Sequence, residues 1–480
     1  MQITELEPKK VFYYFSELAK IPHGSGNTRQ IEQYCLDFAE KRGLNAYHDE
    51  YGNVIIFKDG TKGYENSAPV ILQGHLDMVC EKLPDCKKDM KREGIDLIVD
   101  GDFLRADGTT LGGDDAIAAA YILALLDSDD IPHPPIEGLF TIDEETGLRG
   151  AHALDASRLR GRLLINIDSE EEGVLTVSCA GASRVSCEIP VATVTADGIA
   201  KEITIGGFLG GHSGIDINKN RKNAIKVLGE LLYELNGSVN IRIASISAGG
   251  RLNVITPSAK AVVCVDKSEE DEFDRIIAAF DAELKKECAA AEPDVYVSSQ
   301  TVSHPAVCAD GDGTNRIIFA LMQSPYGVRA MNADIPDLVQ TSSNPGEAVF
   351  SGGTLKLNFM LRSNFDADKV SLVKTIRSFV EFADGTIELG DDYPAWEYRP
   401  DSPLRDTMAA VYEGMYGKKP VVNSIHAGLE CGILAEKLPG ADMVSIGPEM
   451  WNVHTPEERL NIRSCGRVWE YLLQVLKMLK

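Results

Sequence analysis

What this chain lacks already narrows its identity. Its ten Cys include no CxxC pair, and the closest neighbours are Cys80 and Cys86. Such usage suits a reducing compartment in which thiols stay free, and each Cys reads as a small buried apolar side chain. No uninterrupted apolar run reaches the roughly 18 residues of a spanning helix. The opening stretch MQITELEPKKVFYYF shows no basic segment followed by an apolar one, so the chain is expected to be soluble, unexported and cytoplasmic. Positive charge is scarce: 48 Lys and Arg face 73 Asp and Glu, a net charge of −25. Without a Lys/Arg-rich run, nucleic acid is excluded as an expected partner and anionic membrane surfaces are disfavoured. Low-complexity linkers are missing too, and 44% hydrophobic with 25% charged residues excludes disorder and fibrous repeats.

What is present is a chain of 480 residues, long enough for two or three domains or for one domain carrying a large insertion. Apolar residues at three- and four-residue spacing predict helices over Pro8–Ala19 and Thr28–Arg42. Val/Ile-rich runs at Asn53–Phe57, Pro69–Gln73, Leu139–Ile142 and Leu163–Ile167 read as strands, with an Ala/Leu-rich helix over Ala116–Leu126 between them. That alternation predicts an α/β domain with a largely parallel sheet. After Gly173 alternating strands such as Lys260–Val265 and Leu355–Leu361, with helices at Asn223–Leu235 and Glu270–Ala290, read as α+β. From Pro400 the first texture resumes, with a helix at Leu404–Tyr416, a strand at Pro420–Ser424, an apolar run at Met443–Ile446 and a helix at Arg463–Leu479. The simplest architecture is an α/β domain, residues 1–182 and 398–480, interrupted by an α+β insert over 183–397.

Chemistry gathers at the predicted strand ends. Gly74-His75-Leu76-Asp77 follows the run Pro69–Gln73, Asp143-Glu144-Glu145 follows Leu139–Ile142, and Asp168 follows Leu163–Ile167. The loop Thr109–Asp115 enters the Ala-rich helix, and His454 stands in the C-terminal segment. In open α/β sheets ligands bind at the carboxyl ends of strands. Carboxylates so clustered need counter-charge, and a pair of metal ions is the simplest source of it. Mixed His and carboxylate donors suit Zn²⁺ or a similar divalent ion, and one bridging carboxylate holds two ions about 3.5–4 Å apart. Each residue alone has a plainer reading: Asp115 as a helix N-cap, Glu144 and Glu145 as a solvated face, Asp168 as part of an acidic turn, His75 as a structural histidine. Their conjunction favours the metal centre.

The segments GHLDMV (74–79), GTTLGGDDAIAAA (108–120), DEETGLRGA (143–151), NIDSEEEG (166–173), GGHSG (210–214) and HAGLECG (426–432) resemble, in order and through nearly the whole chain, the aminoacyl-histidine dipeptidases. These are bacterial cytosolic dipeptidases within the dinuclear zinc exopeptidases of the carboxypeptidase/aminoacylase type. The resemblance implies a zinc exopeptidase catalytic domain with an inserted lid, and two Zn²⁺ ions, with Mn²⁺ or Co²⁺ as substitutes. It makes Asp114 the bridging ligand, His75 and Asp168 the other ligands of one ion, and Glu145 and His454 those of the second. Glu144 becomes the general base that takes a proton from water as a metal-bridged hydroxide attacks the peptide carbonyl. Asp77 is expected to hydrogen-bond the His75 ring. Two mild departures, Gly113 and Asp115 where relatives often carry Ala and Asn, leave that ligand set intact.

In the lid, the resemblance assigns His212 to the oxyanion, from a folded-over lid or across a dimer; the plainer reading is a turn in which Ser213 caps a following helix. Arg362 resembles an Arg that binds the substrate's C-terminal carboxylate, with a surface ion pair as the alternative. Asn253 resembles a lid Asn that contacts substrate, with turn capping as the alternative. Glu430 is a candidate for the free amine of a dipeptide or a helix-start carboxylate. The expected activity is hydrolysis of dipeptides, especially Xaa-His and carnosine-like ones, by a chain that could form a homodimer through the lid. An N-acyl amino acid deacylase of the same fold and a catalytically dead binding protein are the rival readings, the latter disfavoured because no ligand or base is missing.

Overall fold

Three of the Val/Ile-rich runs become neighbours in one sheet. Ile136–Thr141, Val70–His75 and Leu163–Asn166 pair in parallel in that order, and Asp442–Ser445 adds to Leu163–Asn166, again in parallel. The computed structural model describes residues 3–333, 335 and 337–480. Its parallel core is flanked by Val54–Lys58 and Asn45–His48 on one side and by Val174–Cys179 and Val421–Ile425 on the other. Both pairings on the first flank, and Asp442–Ser445 with Val174–Cys179, are antiparallel.

Every residue of Val70–His75 and Ile136–Thr141 is buried, as expected of strands covered on both faces. Helix Gly113–Leu126 packs on the first of these strands and on helix Lys9–Ala19. It is Ala, Leu and Ile on nearly every side and buried almost throughout, so it is a core helix rather than an amphipathic one. Gly74 makes that packing possible. A Cβ there would stand 2.4 Å from Ala118 Cβ and 2.6 Å from Asp115 Oδ2, so only glycine lets the helix come this close to the strand just before His75. The remaining helices of this unit are Arg29–Arg42, Arg149–Ala153, Pro403–Tyr416, Glu430–Lys437 and Ile462–Met478.

The chain divides into two compact units, the first comprising residues up to Cys179 with Trp396–Ser424 and Leu429–Lys480, the second Ala180–Ala395 with Ile425–Gly428. The short return of chain at 425–428 packs with the second unit because Ala180 N–H donates to the carbonyls of Ile425 and Ala427, each at 3.1 Å. The second unit is built on an antiparallel sheet. Its strand order is Tyr296–Thr301, Ile199–Gly206, Ala259–Val265, Arg242–Gly249, Val339–Ser351, Thr354–Ser363, Gly181–Pro190 and Thr386–Tyr393. Helices Ala224–Ser238, Glu270–Cys288, Gly311–Gln323 and Asp366–Phe382 share one apolar core with it. Helix and strand thus segregate here, the α+β texture expected for the insert.

Candidate active site

Parallel pairing places the carboxyl ends of three adjacent strands side by side. His75 closes Val70–His75, Glu144 and Glu145 follow Thr141, and Asp168 follows Asn166. Asp114 enters from the first turn of helix Gly113–Leu126, where its φ of −82° and ψ of 102° keep it out of the helical conformation. His454 arrives from the connection between Met450–Trp451 and Arg459–Asn461, in a left-handed conformation with φ 63°.

These side chains meet around Asp114. One carboxylate oxygen, Oδ1, lies 3.0 Å from His75 Nε2 and the other, Oδ2, lies 3.1 Å from His454 Nε2. Asp168 Oδ1 stands 3.7 Å from His75 Nε2, and Glu145 Oε1 stands 2.9 Å from His454 Nε2. The donor atoms of His75, Asp114 and Glu145 all fall within 4.8 Å of one another, as do those of His75, Asp115 and Asp168. Asp114 therefore bridges two half-sites, one imidazole and one further carboxylate to each.

Electrostatics show what such a cluster needs. Burial opposes charge on His75, yet Asp114, Asp168 and Asp77 outweigh it and raise its pKa well above the ordinary value. Hydrogen bonds from Asp114 and Glu145 push His454 up to about 11. Asp168 is raised to about 7 by burial, with Asp114 and Glu145 adding repulsion. Burial, then Asp168, Glu430 and Glu145, raise Glu144 well above the usual carboxyl range. Among the described residues no Lys or Arg forms an ion pair with Asp114, Glu145 or Asp168, whose cationic partners are His75 and His454 alone. Convergent carboxylates that draw protons onto two imidazoles suit divalent cations. The donor set fits two such ions.

Asp77 both faces the His75 ring and holds a neighbouring turn. The ring Nδ1 lies 3.0 Å from the Asp77 backbone carbonyl and 3.5 Å from its carboxylate, which helps raise the His75 pKa. The carboxylate also accepts the N–H groups of Glu144 at 3.0 Å and Glu145 at 3.3 Å and the Ser25 hydroxyl at 2.7 Å. It anchors the turn that carries both glutamates. The carbonyl bond still holds the Nδ1 proton in place, so Nε2, which faces Asp114 and Asp168 and carries the second proton here, is the nitrogen that would bind an ion once that proton leaves.

Glu430 is not placed to meet an amine. It is fully buried, with Oε2 accepting from Gln73 Nε2 and the Thr141 hydroxyl, each at 2.6 Å. Asn166 Nδ2 in turn donates to Gln73 Oε1 at 2.6 Å. Gln73, Thr141 and Asn166 sit two or three residues before His75, Glu144 and Asp168, so Glu430 ties the three strand ends together from beneath.

Two capping expectations also change. Asp115 caps no helix; its Oδ2 accepts the His75 N–H at 3.1 Å from a fully buried position. Ser213 caps none either, since the next helix begins at Ala224 with Asn223 as its N-cap.

In the second unit, His212 and Asn253 lie together: His212 bridges to Val254, and Ser213 N–H donates to the Asn253 carbonyl at 2.8 Å. The Asn253 side chain is exposed. His212 Nδ1 accepts the N–H groups of Gly214 and Ile215 at 3.2 and 3.1 Å, leaving the proton on Nε2. Burial and then the Arg362 charge lower its pKa to about 4, so the ring is a neutral donor at pH 7. Arg362 is buried and gives Nη1 to the Tyr393 hydroxyl at 3.2 Å, and among the described residues its Nε has no partner and no carboxylate pairs with it. Beside it His426 accepts from the Ser342 hydroxyl at 2.7 Å, and burial with the Arg362 and His212 charges lowers its pKa to about 3.

Sequence reasoning missed Glu458, Gln73 and Ser25. Each acts by reaching across many residues of chain, and nothing local marks it; Glu458 stands beside Glu457 with no feature to separate the two.

An α/β sheet with a His/carboxylate cluster at its strand ends is the architecture of a metallohydrolase. Residues 71–478 match the peptidase family M20/M25/M40, and the chain belongs to this family and is a peptide hydrolase. It is 32% identical to the cytosol non-specific dipeptidase of Escherichia coli (strain K12), over 99% of each chain. A crystal structure of aminoacylhistidine dipeptidase from Vibrio alginolyticus superposes with a TM-score of 0.92 at 33% identity, covering 100% of this chain and 98% of that one. An aminopeptidase from Bacillus cereus shares the fold, with a TM-score of 0.60 at 15% identity and 99% of both chains covered. Among the described residues no helix is long and apolar enough to cross a membrane.

Proposed function

We propose that this chain is a cytoplasmic metal-dependent dipeptidase that accepts Xaa-His and other dipeptides, with Zn²⁺ as its native ion and Mn²⁺ or Co²⁺ as substitutes. The observation that carries the reading is the Asp114 carboxylate, whose two oxygens face different imidazoles at 3.0 and 3.1 Å. Similarity to two dipeptidases over the full chain supports the substrate class. Asp114 would be shared between the two ions, His75 and Asp168 would hold one, and Glu145 and His454 would hold the other. When bound, the ions supply Lewis acidity that polarises the scissile carbonyl and acidifies water.

Glu144 is the base. It is no ligand, its backbone is fixed by Asp77, and burial with surrounding carboxylates raises its affinity for a proton. It takes the proton of the attacking water and returns it to the leaving amine. His212, neutral and protonated at Nε2, suits donation to the developing oxyanion. Arg362, a buried guanidinium whose Nε has no partner among the described residues, suits the planar carboxylate at the dipeptide's C-terminus.

The test is to strip the protein with a chelator, restore Zn²⁺, Mn²⁺ or Co²⁺ singly, and assay alanyl-histidine, carnosine and an N-acetyl amino acid side by side. Dipeptide cleavage that vanishes on chelation and returns with metal is expected. Turnover of the N-acetyl amino acid alone would replace the dipeptidase reading with a deacylase, and metal-independent cleavage would remove the metal from it.

A further inference from the structure

Glu458 is 2% exposed and reaches 344 or more residues back along the chain. Its Oε2 accepts the N–H groups of Leu111 at 2.8 Å and Gly112 at 3.1 Å, and its Oε1 accepts those of Gly113 at 2.8 Å and Asp114 at 3.5 Å. Four successive backbone N–H groups at the start of helix Gly113–Leu126 thus converge on one carboxylate. The helix N-terminus is the end at which an anion is held best, and consecutive N–H groups in a turn form a concave anion seat.

The turn is shaped for this. Gly112 adopts a left-handed φ of 69°, and a Cβ on Gly113 would stand 3.2 Å from Glu458 Oε1. Side chains at these positions would strain the turn or crowd the carboxylate. The helix has no side-chain cap of its own at Gly112, so Glu458 satisfies N–H groups that the helix leaves open.

The other end of Glu458 is equally constrained. Glu458 N–H donates to the Thr455 carbonyl at 3.1 Å, and the Thr455 hydroxyl donates to the Asn452 carbonyl at 2.8 Å. His454 lies inside that knot. Leu460, two residues on, pairs with Leu104 in the small sheet formed with Phe103–Ala106. One carboxylate therefore joins the turn presenting Asp114 to the loop presenting His454.

We infer that Glu458 is a positioning residue that holds the Asp114 turn and the His454 loop as one rigid piece, so that both residues are already in place before a metal ion arrives. The inference rests on the reading of Asp114 and His454 as ligands. Without the carboxylate, ion binding would have to order both segments itself, and affinity would fall by that ordering cost.

The experiment compares Glu458→Gln and Glu458→Ala with the unaltered protein, all stripped of metal. Gln keeps the volume but turns an N–H₂ group toward two of the backbone donors; Ala leaves the seat empty. Backbone hydrogen exchange over residues 111–114 and 452–458 is measured without metal, Zn²⁺ affinity by competition with a chelating dye, and kcat and KM at saturating Zn²⁺. The expected result is faster exchange in both segments, about 10- to 100-fold weaker Zn²⁺ binding, and recovery of most kcat at high Zn²⁺ with KM little changed. Unchanged exchange in either segment, or faster exchange with Zn²⁺ affinity within twofold, overturns the inference. If the Ala variant fails to fold, the Gln variant decides by the same criteria. Asp114→Asn and His454→Ala are run in parallel. Normal Zn²⁺ affinity in those two would instead sink the ligand assignment, whatever Glu458 does.

Discussion

Gln73 and Glu430, 357 positions apart in the chain, meet at 2.6 Å through Nε2 and Oε2 in the buried floor of the site. With the Thr141 hydroxyl on the same oxygen, this contact welds the ends of two catalytic strands to the C-terminal segment. Glu430→Ala removes the short acceptor of two buried donors and leaves them only the longer contacts of Gln73 Nε2 to Thr141 Oγ1 at 3.1 Å and of the Thr141 hydroxyl to the Gly74 carbonyl at 3.4 Å, a loss of about 1–3 kcal/mol that lowers the unfolding midpoint of the metal-free protein in urea. Glu430→Gln retains an acceptor oxygen for both and is expected to lie within about 1 kcal/mol of the parent. Equal loss in both variants would show that the carboxylate charge, rather than its acceptor role, is what the floor requires.

Glu144→Ala separates chemistry from metal binding. Removing the proposed base, which is not among the proposed ligands, is expected to lower kcat by about 10²–10⁴-fold while metal stoichiometry, measured by elemental analysis, stays that of the parent. Near-parental turnover would show that another group moves the proton.

His212 and Arg362, both in the second unit, are expected to fail in different kinetic constants. His212→Ala, losing one oxyanion donor, lowers kcat by about 10²–10³-fold. Arg362→Lys, losing a planar two-pronged donor, raises KM by about 10-fold or more for free dipeptides with a smaller effect on kcat. A dipeptide amide, which has no terminal carboxylate, should not distinguish Arg from Lys at 362; if it does, Arg362 serves the fold.

His426 makes acid stability testable. Its pKa falls from about 6.5 unfolded to about 3 folded, chiefly through burial. Between those values the unfolded state carries one more proton than the folded one, so this residue's contribution is fully present above pH 6.5 and is lost as pH falls toward 3. The slope is about 1.4 kcal/mol per pH unit for one proton. His426→Gln should flatten the stability profile of the parent over this window by that amount, read from urea midpoints at successive pH values. Parallel profiles would place His426 in contact with water when folded.

The fold and the ligand candidates were legible because both depend on short-range patterns. Runs such as Pro69–Gln73 announce buried strands, and a parallel sheet then brings His75, Glu144, Glu145 and Asp168 to one edge without further information. What the sequence concealed are contacts made at long range by residues that look ordinary in place. Asp77 reads as a partner for the ring two residues away, yet its carboxylate also holds the Glu144–Glu145 backbone. Asp115 reads as a cap, yet Glu458 supplies the capping oxygens from the other end of the chain. Glu430 opens a helix, as a surface carboxylate would, and is buried because Gln73 and Thr141 offer it donors. In each case the local signal was real and tertiary pairing redirected it or added to it.

The parallel core also bears on how the chain matures. Its strand Asp442–Ser445 pairs with Leu163–Asn166, and all of the second unit's Ala180–Ala395 is made between them. During synthesis the edge at Leu163–Asn166 therefore stands open until Asp442–Ser445 emerges, and an open edge invites pairing with other strands. Glu430 is made shortly before that strand, and His454 and Glu458 shortly after it. A nascent chain that stops before residue 430 carries His75, Asp114, Glu145 and Asp168 but lacks His454, the Glu458 carboxylate that fills the Leu111–Asp114 turn and the Glu430 carboxylate that ties the strand ends together.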